Sequence, residues 1–281
     1  MVDNKYTFTD QARSIGLSVP KSFYVTSREE LLNFNFANER RPYICKSIVY
    51  DWLDRAVHVR LPLATREETI EYINRLPVSE ECPYILQEFI TGEEFCTHGT
   101  CLDGCLTLFN CCPSSPWQLN YKHVDNPEIL QWCTKFVREC DLTGHASFDF
   151  IVSDDDGKPY GIECNPRVHS AITAFYNQSN LARAYFRPPL STPILPLANA
   201  RETYWLPYEL WRIFYNIRTP EKSLISLKRI LFGKEAIWSW KDPLPFLLHY
   251  NVHFVYLLLD NLRPNMVRYF TKIDCCIGEL A

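Results

Sequence analysis

Two strand-like segments on either side of an Asp-rich turn constrain the fold of this chain more than any other feature. Residues 147–153 and 159–167 are rich in aromatic and β-branched residues, and Asp154-Asp155-Asp156-Gly157 lies between them. That composition predicts an antiparallel hairpin with a tight turn. With Ser153 opposite Pro159, the register places Asp149 directly opposite Glu163.

Two carboxylates placed in this way predict a metal site. Opposed side chains in an antiparallel ladder have Cβ atoms about 4.5–5.5 Å apart, and like charges there are destabilising unless they are neutralised. Asn165 lies two residues beyond Glu163 on the same face and adds a carbonyl oxygen. These hard oxygen ligands favour Mg²⁺ over Zn²⁺. The alternative is that Asp149 and Glu163 are solvated residues on the polar face of a hairpin.

Arg167 ends the second strand and suggests that the metal binds together with a phosphate group. Its planar guanidinium is suited to bidentate contact with a phosphate or acyl-phosphate oxygen. His145 and His169 flank the hairpin, and we expect them to form local hydrogen bonds, since an oxygen-ligand site does not need them. Cys164 alternates to the opposite face, where packing is its expected role.

Composition limits the possible partners and compartments. The 281 residues are 47% hydrophobic, which is enough for one large domain or two modest ones. A net charge of −4 gives no electrostatic case for binding nucleic acid or an anionic membrane. No signal peptide opens the sequence, so we expect a cytoplasmic protein with free thiols. The apolar run Leu244 to Leu259 is predicted to be a buried helix and not a membrane span.

The order of predicted elements divides the chain into three units. Residues 1–86 alternate helices and short strands, as in a small α+β layer. Residues 87–185 contain longer strands, a helix near residues 128–140 and the hairpin. A proline-punctuated connection then leads into residues 186–281, which are predicted to be helical.

In their order and spacing, these segments resemble the ATP-grasp superfamily, across roughly residues 3–170. The resemblance implies an α+β fold in which two subdomains clamp ATP, here with a helical C-terminal extension. Asp3-Asn-Lys5 before a helix is similar to the opening of that fold, whose lysine reaches the ATP phosphates. Ile44-Cys-Lys46-Ser resembles the lid strand that carries a second nucleotide lysine.

The segment Tyr84-Ile-Leu-Gln-Glu-Phe-Ile-Thr-Gly-Glu-Glu94 resembles the hinge between the two subdomains. The resemblance implies that backbone groups of Glu88, Phe89 and Ile90 hold the adenine edge, with Gln87 nearby. Glu94 would accept hydrogen bonds from the ribose hydroxyls. Asp149, Glu163 and Asn165 would ligate Mg²⁺, and Arg167 would hold the reacting group.

Within the superfamily the chain is most similar to mycosporine-glycine synthase-type ligases. The motifs that carry this likeness are Leu86–His98, Gly144–Phe150, Glu163–Ile172 and Asp242–Phe246. The resemblance implies ATP-dependent activation of a small-molecule acid or enol for attack by an amine, such as glycine onto 4-deoxygadusol.

Two departures from the pattern keep a second function open. The lysine candidate is already residue 5, so the α/β domain that usually precedes it is expected to be missing. No glycine occurs between Gly16 and Gly92, although the lid loop is usually glycine-rich. Ser47, Arg55, His58 or Arg60 would then contact the phosphates instead. The alternative is a nucleotide-binding module or partial chain without turnover.

Overall fold

The computed structural model of the chain describes residues 4–48, 59–114 and 119–261. Its elements include short 3₁₀ and π turns. One of its β-sheets contains only two-residue strands. In chain order the helices and strands are α1 (Lys5–Ser14), β1 (Ser22–Val25), α2 (Arg28–Leu32), β2 (Tyr43–Ser47), α3 (Arg66–Arg75), β3 (Tyr84–Glu88), β4 (Gly92–Leu102), β5 (Cys105–Pro113), β6 (Asn120–Tyr121), α4 (Pro127–Glu139), β7 (Gly144–Ser153), β8 (Pro159–Asn165), β9 (Thr203–Tyr204), α5 (Leu206–Tyr215), α6 (Pro220–Phe232), β10 (Lys234–Glu235), α7 (Leu244–Leu248) and α8 (Phe254–Asn261).

The N-terminal part forms a three-stranded antiparallel sheet, the lid sheet, in the order β1-β3-β2. Helices α2 and α3 cover one face, which buries a core containing Val25, Leu31, Tyr43, Cys45, Leu61, Ile73, Tyr84 and Leu86. Side chains alternate along each strand. Lys46 and Gln87 therefore project from the opposite face.

A second antiparallel sheet, the platform sheet, has the order β5-β4-β7-β8. Helices α1 and α4 pack on one of its faces. They enclose the largest core, which includes Phe8, Phe109, Ile129, Trp132, Phe136, Phe148, Phe150 and Cys164. Asp149 alternates with Phe148 and Phe150, so it projects from the other face. The predicted packing role of Cys164 is confirmed.

The predicted hairpin is confirmed, but its turn register is wrong by one residue. Pro159 pairs with Val152, not with Ser153. Asp149 still pairs with Glu163, because the register shifts between Asp149 and Phe150. Ile162 is the extra residue of this β-bulge, which cancels the error made at the turn.

Gly161 lies where β8 passes closest to α4. Its amide donates to the Ser18 carbonyl oxygen at 3.1 Å, and the Trp132 indole N–H donates to the same oxygen at 3.0 Å. An added Cβ would lie 2.7 Å from the Trp132 ring. Glycine is required here by the close approach of the indole.

We expect Gly161→Ala to lower the free energy of unfolding by about 1–3 kcal/mol, because the indole must shift from a packed position. Urea denaturation measures the change. In a Trp132→Leu background the same substitution is expected to cost less than about 0.5 kcal/mol, since the clashing ring is gone. Equal costs in both backgrounds would contradict this explanation.

A third, small sheet has the order β10-β9-β6 and packs against the second face of the platform sheet. Because β9 pairs with β6, residues of the third predicted unit share a sheet with the second. The predicted boundary after Leu86 also falls inside β3, which continues to Glu88. The division into 1–86, 87–185 and 186–281 stays a prediction.

The described part of the C-terminal extension is mostly helical, with the short strands β9 and β10 inside it. The predicted burial of the run Leu244 to Leu259 is wrong for the side chains that the structure describes, none of which is buried. Leu244, Val252 and Leu259 are 57%, 58% and 58% exposed. An apolar run of this length indicates a helix, but it does not specify which element covers the helix. None of the helices in the described ranges combines the length and apolar character that a bilayer crossing requires.

Candidate functional site

The predicted carboxylate pair lies on the platform sheet's second face, on the edge strand β8 and its neighbour β7. Asp149 of β7 is the direct partner of Glu163 of β8, and Ser147 is the partner of Asn165. All three predicted metal-ligand positions, Asp149, Glu163 and Asn165, therefore share one face of two adjacent strands. This geometry brings two carboxylates and an amide oxygen together.

The electrostatics of Asp149 show that the pair is unfavourable when both groups are ionised. Burial and, to a smaller extent, the charge of Glu163 raise the pKa of Asp149 to about 7, although Arg167 opposes the shift. Glu94 on β4 also raises this pKa, so it contributes to the same negative region. A cation bound at this position would instead favour the ionised form of Asp149 and lower its pKa.

These oxygen donors fit Mg²⁺ better than they fit a metal that is coordinated by protein side chains alone. Across the described ranges, no group of three or more His, Cys, Asp or Glu side chains has an arrangement that could hold a metal ion. Two carboxylates and an amide make an incomplete shell, which is how proteins often bind Mg²⁺ together with substrate phosphates.

Lys46 approaches this negative region from the lid sheet. Its ammonium donates to Gln87 Oε1 at 2.9 Å, and Gln87 Nε2 donates to Ser22 Oγ at 3.4 Å. Burial lowers the pKa of Lys46 to about 8, whereas the charges of Glu163, Asp149 and Glu94 oppose that shift. The lid cation and the platform carboxylates are therefore close enough to interact electrostatically.

Lys5 belongs to the same region. It is the first residue of α1, whose N-terminus is capped by Asn4 through the amides of Tyr6 and Thr7. Its charge contributes to lowering the pKa of Lys46. Two predicted phosphate-binding cations from distant parts of the sequence are therefore brought close together in space.

The predicted hinge differs from expectation in its backbone groups. The Glu88 amide donates to the Lys21 carbonyl oxygen, and the Phe89 amide to the Pro42 carbonyl oxygen, both at 2.8 Å. These two N–H groups are therefore committed to the lid sheet and are not available to a nucleobase in this conformation. Ile90 is buried. Gln87 accepts a hydrogen bond from the Lys46 ammonium, and its place near the adenine stays a prediction.

Arg41 is a residue of this region that sequence reasoning missed. Its Nε donates to Asp155 Oδ2 at 2.7 Å, and its guanidinium lies 3.5 Å from Glu88 Oε1. It also lies 5.5 Å from the Tyr160 ring centroid. Arg41 therefore joins the hinge end of the lid sheet to the hairpin turn of the platform sheet. Its sequence context, two arginines before a proline, gives no signal of this role.

The two arginines and the histidine proposed for the lid loop are only partly described. Arg60 lies over the Phe89 ring, with its guanidinium carbon 4.1 Å from the centroid, so it contacts the hinge rather than the carboxylate region. Arg55 and His58 lie outside the described residues. The absence of glycines between residues 16 and 92 is thus not explained by Arg60.

Arg167 lies two residues beyond the end of β8, close to the carboxylates. Its amide donates to the Asn165 carbonyl oxygen at 2.8 Å, and its own carbonyl accepts from Ser147 Oγ at 3.1 Å. Its charge lowers the pKa of both Asp149 and His169. These contacts fix the backbone from which the guanidinium extends.

Three histidines, His98, His145 and His169, lie near Arg167 on the second face of the platform sheet. His169 Nδ1 accepts from the Ala171 amide, and the His169 amide donates to His98 Nδ1 at 3.3 Å. His145 stacks on His98 with centroids 5.6 Å apart. The expected local hydrogen bonding of His169 is confirmed. Because His98 Nδ1 is an acceptor, its proton is on Nε2, which has no hydrogen-bond partner among the described residues.

Burial of His98 predicts a loss of stability in acid. Burial lowers its pKa to about 3, whereas a histidine in an unfolded chain titrates near 6.5. Between these values the unfolded state binds more protons, so the free energy of unfolding falls as the pH decreases. We expect a loss of about 1 kcal/mol from this group between pH 7.5 and 5.5.

Urea denaturation at the two pH values measures that loss. His98→Gln removes the titrating group, so the variant is expected to lose about 1 kcal/mol less than the wild type over the same interval. Identical pH dependence in the two proteins would be inconsistent with a buried neutral His98.

The cysteines in the described part of the chain are confirmed as free thiols. Burial raises the pKa of Cys101 and Cys111 to about 12, so both are protonated near neutrality. Cys275 and Cys276 lie outside the described residues. The described thiols thus act as small buried hydrophobes.

Comparison with known proteins identifies the fold. No protein-family model and no curated protein matches the chain. Phosphoribosylamine–glycine ligase from Thermotoga maritima matches 72% of this chain and 57% of its own, with 16% identity and a TM-score of 0.53. L-amino acid ligase from Bacillus licheniformis matches 62% of this chain and 43% of its own, with 18% identity and a TM-score of 0.45.

A third similar structure is the ATP-grasp ligase PsnB complexed with a precursor variant, Mg and ADP. It matches 58% of this chain and 49% of its own, with 18% identity and a TM-score of 0.40. The chain thus spans about half the length of these proteins. The likeness to phosphoribosylamine–glycine ligase carries the fold assignment. The chain has the ATP-grasp fold, as the sequence resemblance implied.

Proposed function

We propose that this chain binds Mg·ATP between the lid sheet and the platform sheet and uses it for carbon–nitrogen ligation. The observation that supports the proposal is the opposition of Lys46, from the lid sheet, to Asp149 and Glu163, from the platform sheet. A cleft that carries both cations and a carboxylate pair is complementary to a metal–triphosphate complex, which is itself of mixed charge.

Asp149, Glu163 and Asn165 are the proposed metal ligands, since they present oxygens on one face of β7 and β8. When bound, Mg²⁺ would neutralise phosphate charge and orient the triphosphate. Lys5 and Lys46 would contact phosphate oxygens as point charges. Gln87 supports this role by holding the Lys46 ammonium in place.

The hinge would hold the nucleoside. With the Glu88 and Phe89 amides committed to the lid sheet, we assign the adenine contact to carbonyl oxygens of this segment and to the Ile90 amide. Glu94 would accept from the ribose hydroxyls. Arg41 supports this arrangement because its bonds to Glu88 and Asp155 hold the two sheets together beside the hinge.

The chemistry proposed has two steps. A carboxylate or enol oxygen of the acceptor attacks the γ-phosphorus, the bond to the β–γ bridging oxygen breaks, and ADP leaves. An amine nitrogen then attacks the activated carbon, inorganic phosphate leaves, and the nitrogen loses a proton. Arg167 is the proposed catalytic residue, since its guanidinium can hold the reacting oxygens while charge develops on them.

The particular substrate pair is a finer proposal. Glycine and 4-deoxygadusol are supported by the sequence motifs quoted above, and by nothing in the geometry of the cleft. The broader class, a small-molecule acid or enol with an amine, is the one for which the site is proposed.

A nucleotide-binding module without turnover is the second candidate, favoured by the lack of glycines between residues 16 and 92. Calorimetry with Mg·ATP, followed by ADP-release assays with candidate acids and amines, separates the two. The ligase proposal predicts ADP release that depends on both an acid and an amine. Binding without such release supports the second candidate, and no binding contradicts both.

A further inference from the structure

A concave site on the C-terminal side of the molecule lies away from the nucleotide cleft. It has a volume of about 480 Å³ and lies between the end of β6, the segment 198–202 and helix α6. We call it the basic pocket, because its charged lining consists of Lys122, Arg201, Lys228, Arg229 and a single carboxylate, Glu202.

The one carboxylate is already neutralised. Arg229 Nε donates to Glu202 Oε1 at 2.8 Å, and the Asn120 amide also donates to this oxygen, at 2.5 Å. Arg229 lies in addition 3.7 Å from the buried Glu209. Glu202 and Arg229 therefore form a fixed, internally compensated part of the wall.

Three cations remain, Lys122, Arg201 and Lys228. All three are exposed, and no salt bridge joins them to a carboxylate within the described ranges. The whole chain has a net charge of −4, so a local excess of positive charge does not follow from its composition. Such a concentration of one sign in a concavity attracts an anion of opposite charge.

Apart from Asn199, the remaining lining of the basic pocket is apolar. Ile225 and Phe232 are 50% and 70% exposed at the pocket, beside Ala198 and Ala200. Gly233 lies where the chain turns back on itself, and an added Cβ would lie 2.5 Å from the Arg229 carbonyl oxygen. A ligand would thus meet a charged wall and an apolar wall at once.

We propose that the basic pocket binds a small molecule that carries a dianionic phosphate group on a short apolar or aromatic body. A phosphate matches several cations better than a single carboxylate, and Arg201 can contact it in bidentate fashion. Ile225 and Phe232 would cover the apolar body, which removes their surface from water. The site uses elements that are separate from those of the proposed nucleotide cleft.

Calorimetry with phenyl phosphate tests the proposal. The full chain is titrated in the presence of saturating Mg·ADP, so that the nucleotide cleft is not the binding site measured. Phenyl phosphate is expected to bind more tightly than inorganic phosphate, which lacks the ring, and more tightly than benzoate, which carries one charge. Equal affinity for benzoate and phenyl phosphate would overturn the assignment of a dianion.

The double variant Arg201→Gln/Lys228→Gln is expected to bind phenyl phosphate at least about tenfold more weakly, since two cations that would contact the phosphate are lost. Its matched control is Arg75→Gln/Arg138→Gln, which removes the same charge from exposed positions on α3 and α4 and is expected to bind as the wild type does. Equal affinity in both double variants overturns the proposal.

Ile225→Glu provides a second test that removes no cation. It places a carboxylate at the exposed apolar wall, and we expect phenyl phosphate binding to be lost while Mg·ADP binding is retained. Unchanged phenyl phosphate binding in this variant counts against the pocket. If the wild type does not bind Mg·ADP, the nucleotide proposal fails. The comparison of the pocket variants still decides whether the basic pocket binds phenyl phosphate.

Discussion

Replacing Asp149 by asparagine is expected to reduce Mg²⁺-dependent ATP turnover by about 10³-fold, because it removes one of two ligand carboxylates and the electrostatic stabilisation that the metal provides. The same substitution is expected to raise the free energy of unfolding of the ligand-free protein by up to about 1 kcal/mol. Burial and Glu163 disfavour the charged form of Asp149, so the neutral amide is better tolerated.

ADP release and urea denaturation, both at pH 8 where Asp149 is mostly ionised, measure the two effects. Glu163→Gln is expected to reproduce both, since it removes the other member of the pair. Asp156→Asn is the matched control: it lies in the hairpin turn, where its carboxylate accepts from Tyr160, and should leave turnover unchanged. Full turnover in both Asp149→Asn and Glu163→Gln would refute the metal assignment.

Lys46→Met is expected to weaken Mg·ATP binding by about tenfold to a hundredfold, because a cation that contacts phosphate oxygens is lost. The protein should remain folded, since burial already disfavours the charged form of Lys46 and methionine fills a similar volume. Calorimetry measures the affinity, and thermal denaturation checks the fold.

Lys21→Met is the control for this substitution. Lys21 is exposed at the edge of the lid sheet and pairs with Glu39, so its loss should not change Mg·ATP affinity. Equal affinities in Lys46→Met and Lys21→Met would show that Lys46 does not contact the nucleotide, whatever the fold of the cleft.

The sequence predicts those parts of the fold that depend on local chemistry. The Asp-rich turn specifies the hairpin. Thr65 and Glu68 have the spacing typical of a capping box, and they form one at the start of α3. Asp149 faces Glu163 as expected, although the turn register was wrong. Side-chain alternation, which sets the face of Asn165, is a local property and was correctly inferred.

Features that depend on long-range contacts could not be predicted in this way. Arg41 contacts both Glu88 and Asp155. Asp155 is 114 residues from Arg41 in the chain. The commitment of the Phe89 amide to Pro42 depends on how β2 and β3 align. The exposure of residues 244–259 depends on which elements cover them. No periodicity or turn signal contains this information.

The bulge at Ile162 makes the site sensitive to chain length in an uneven way. Residues added to or removed from the exposed turn change only the loop, because the strands on both sides keep their pairing. Deletion of Ile162 would only remove the bulge, because Gly161 would stay opposite Phe150 and Glu163 opposite Asp149. A residue inserted between Glu163 and Asn165 would instead move Asn165 to the opposite face of the sheet. Length variation at this protein's hairpin is therefore tolerable at its tip and at the bulge, and not at the end of its second arm, where Glu163 and Asn165 lie.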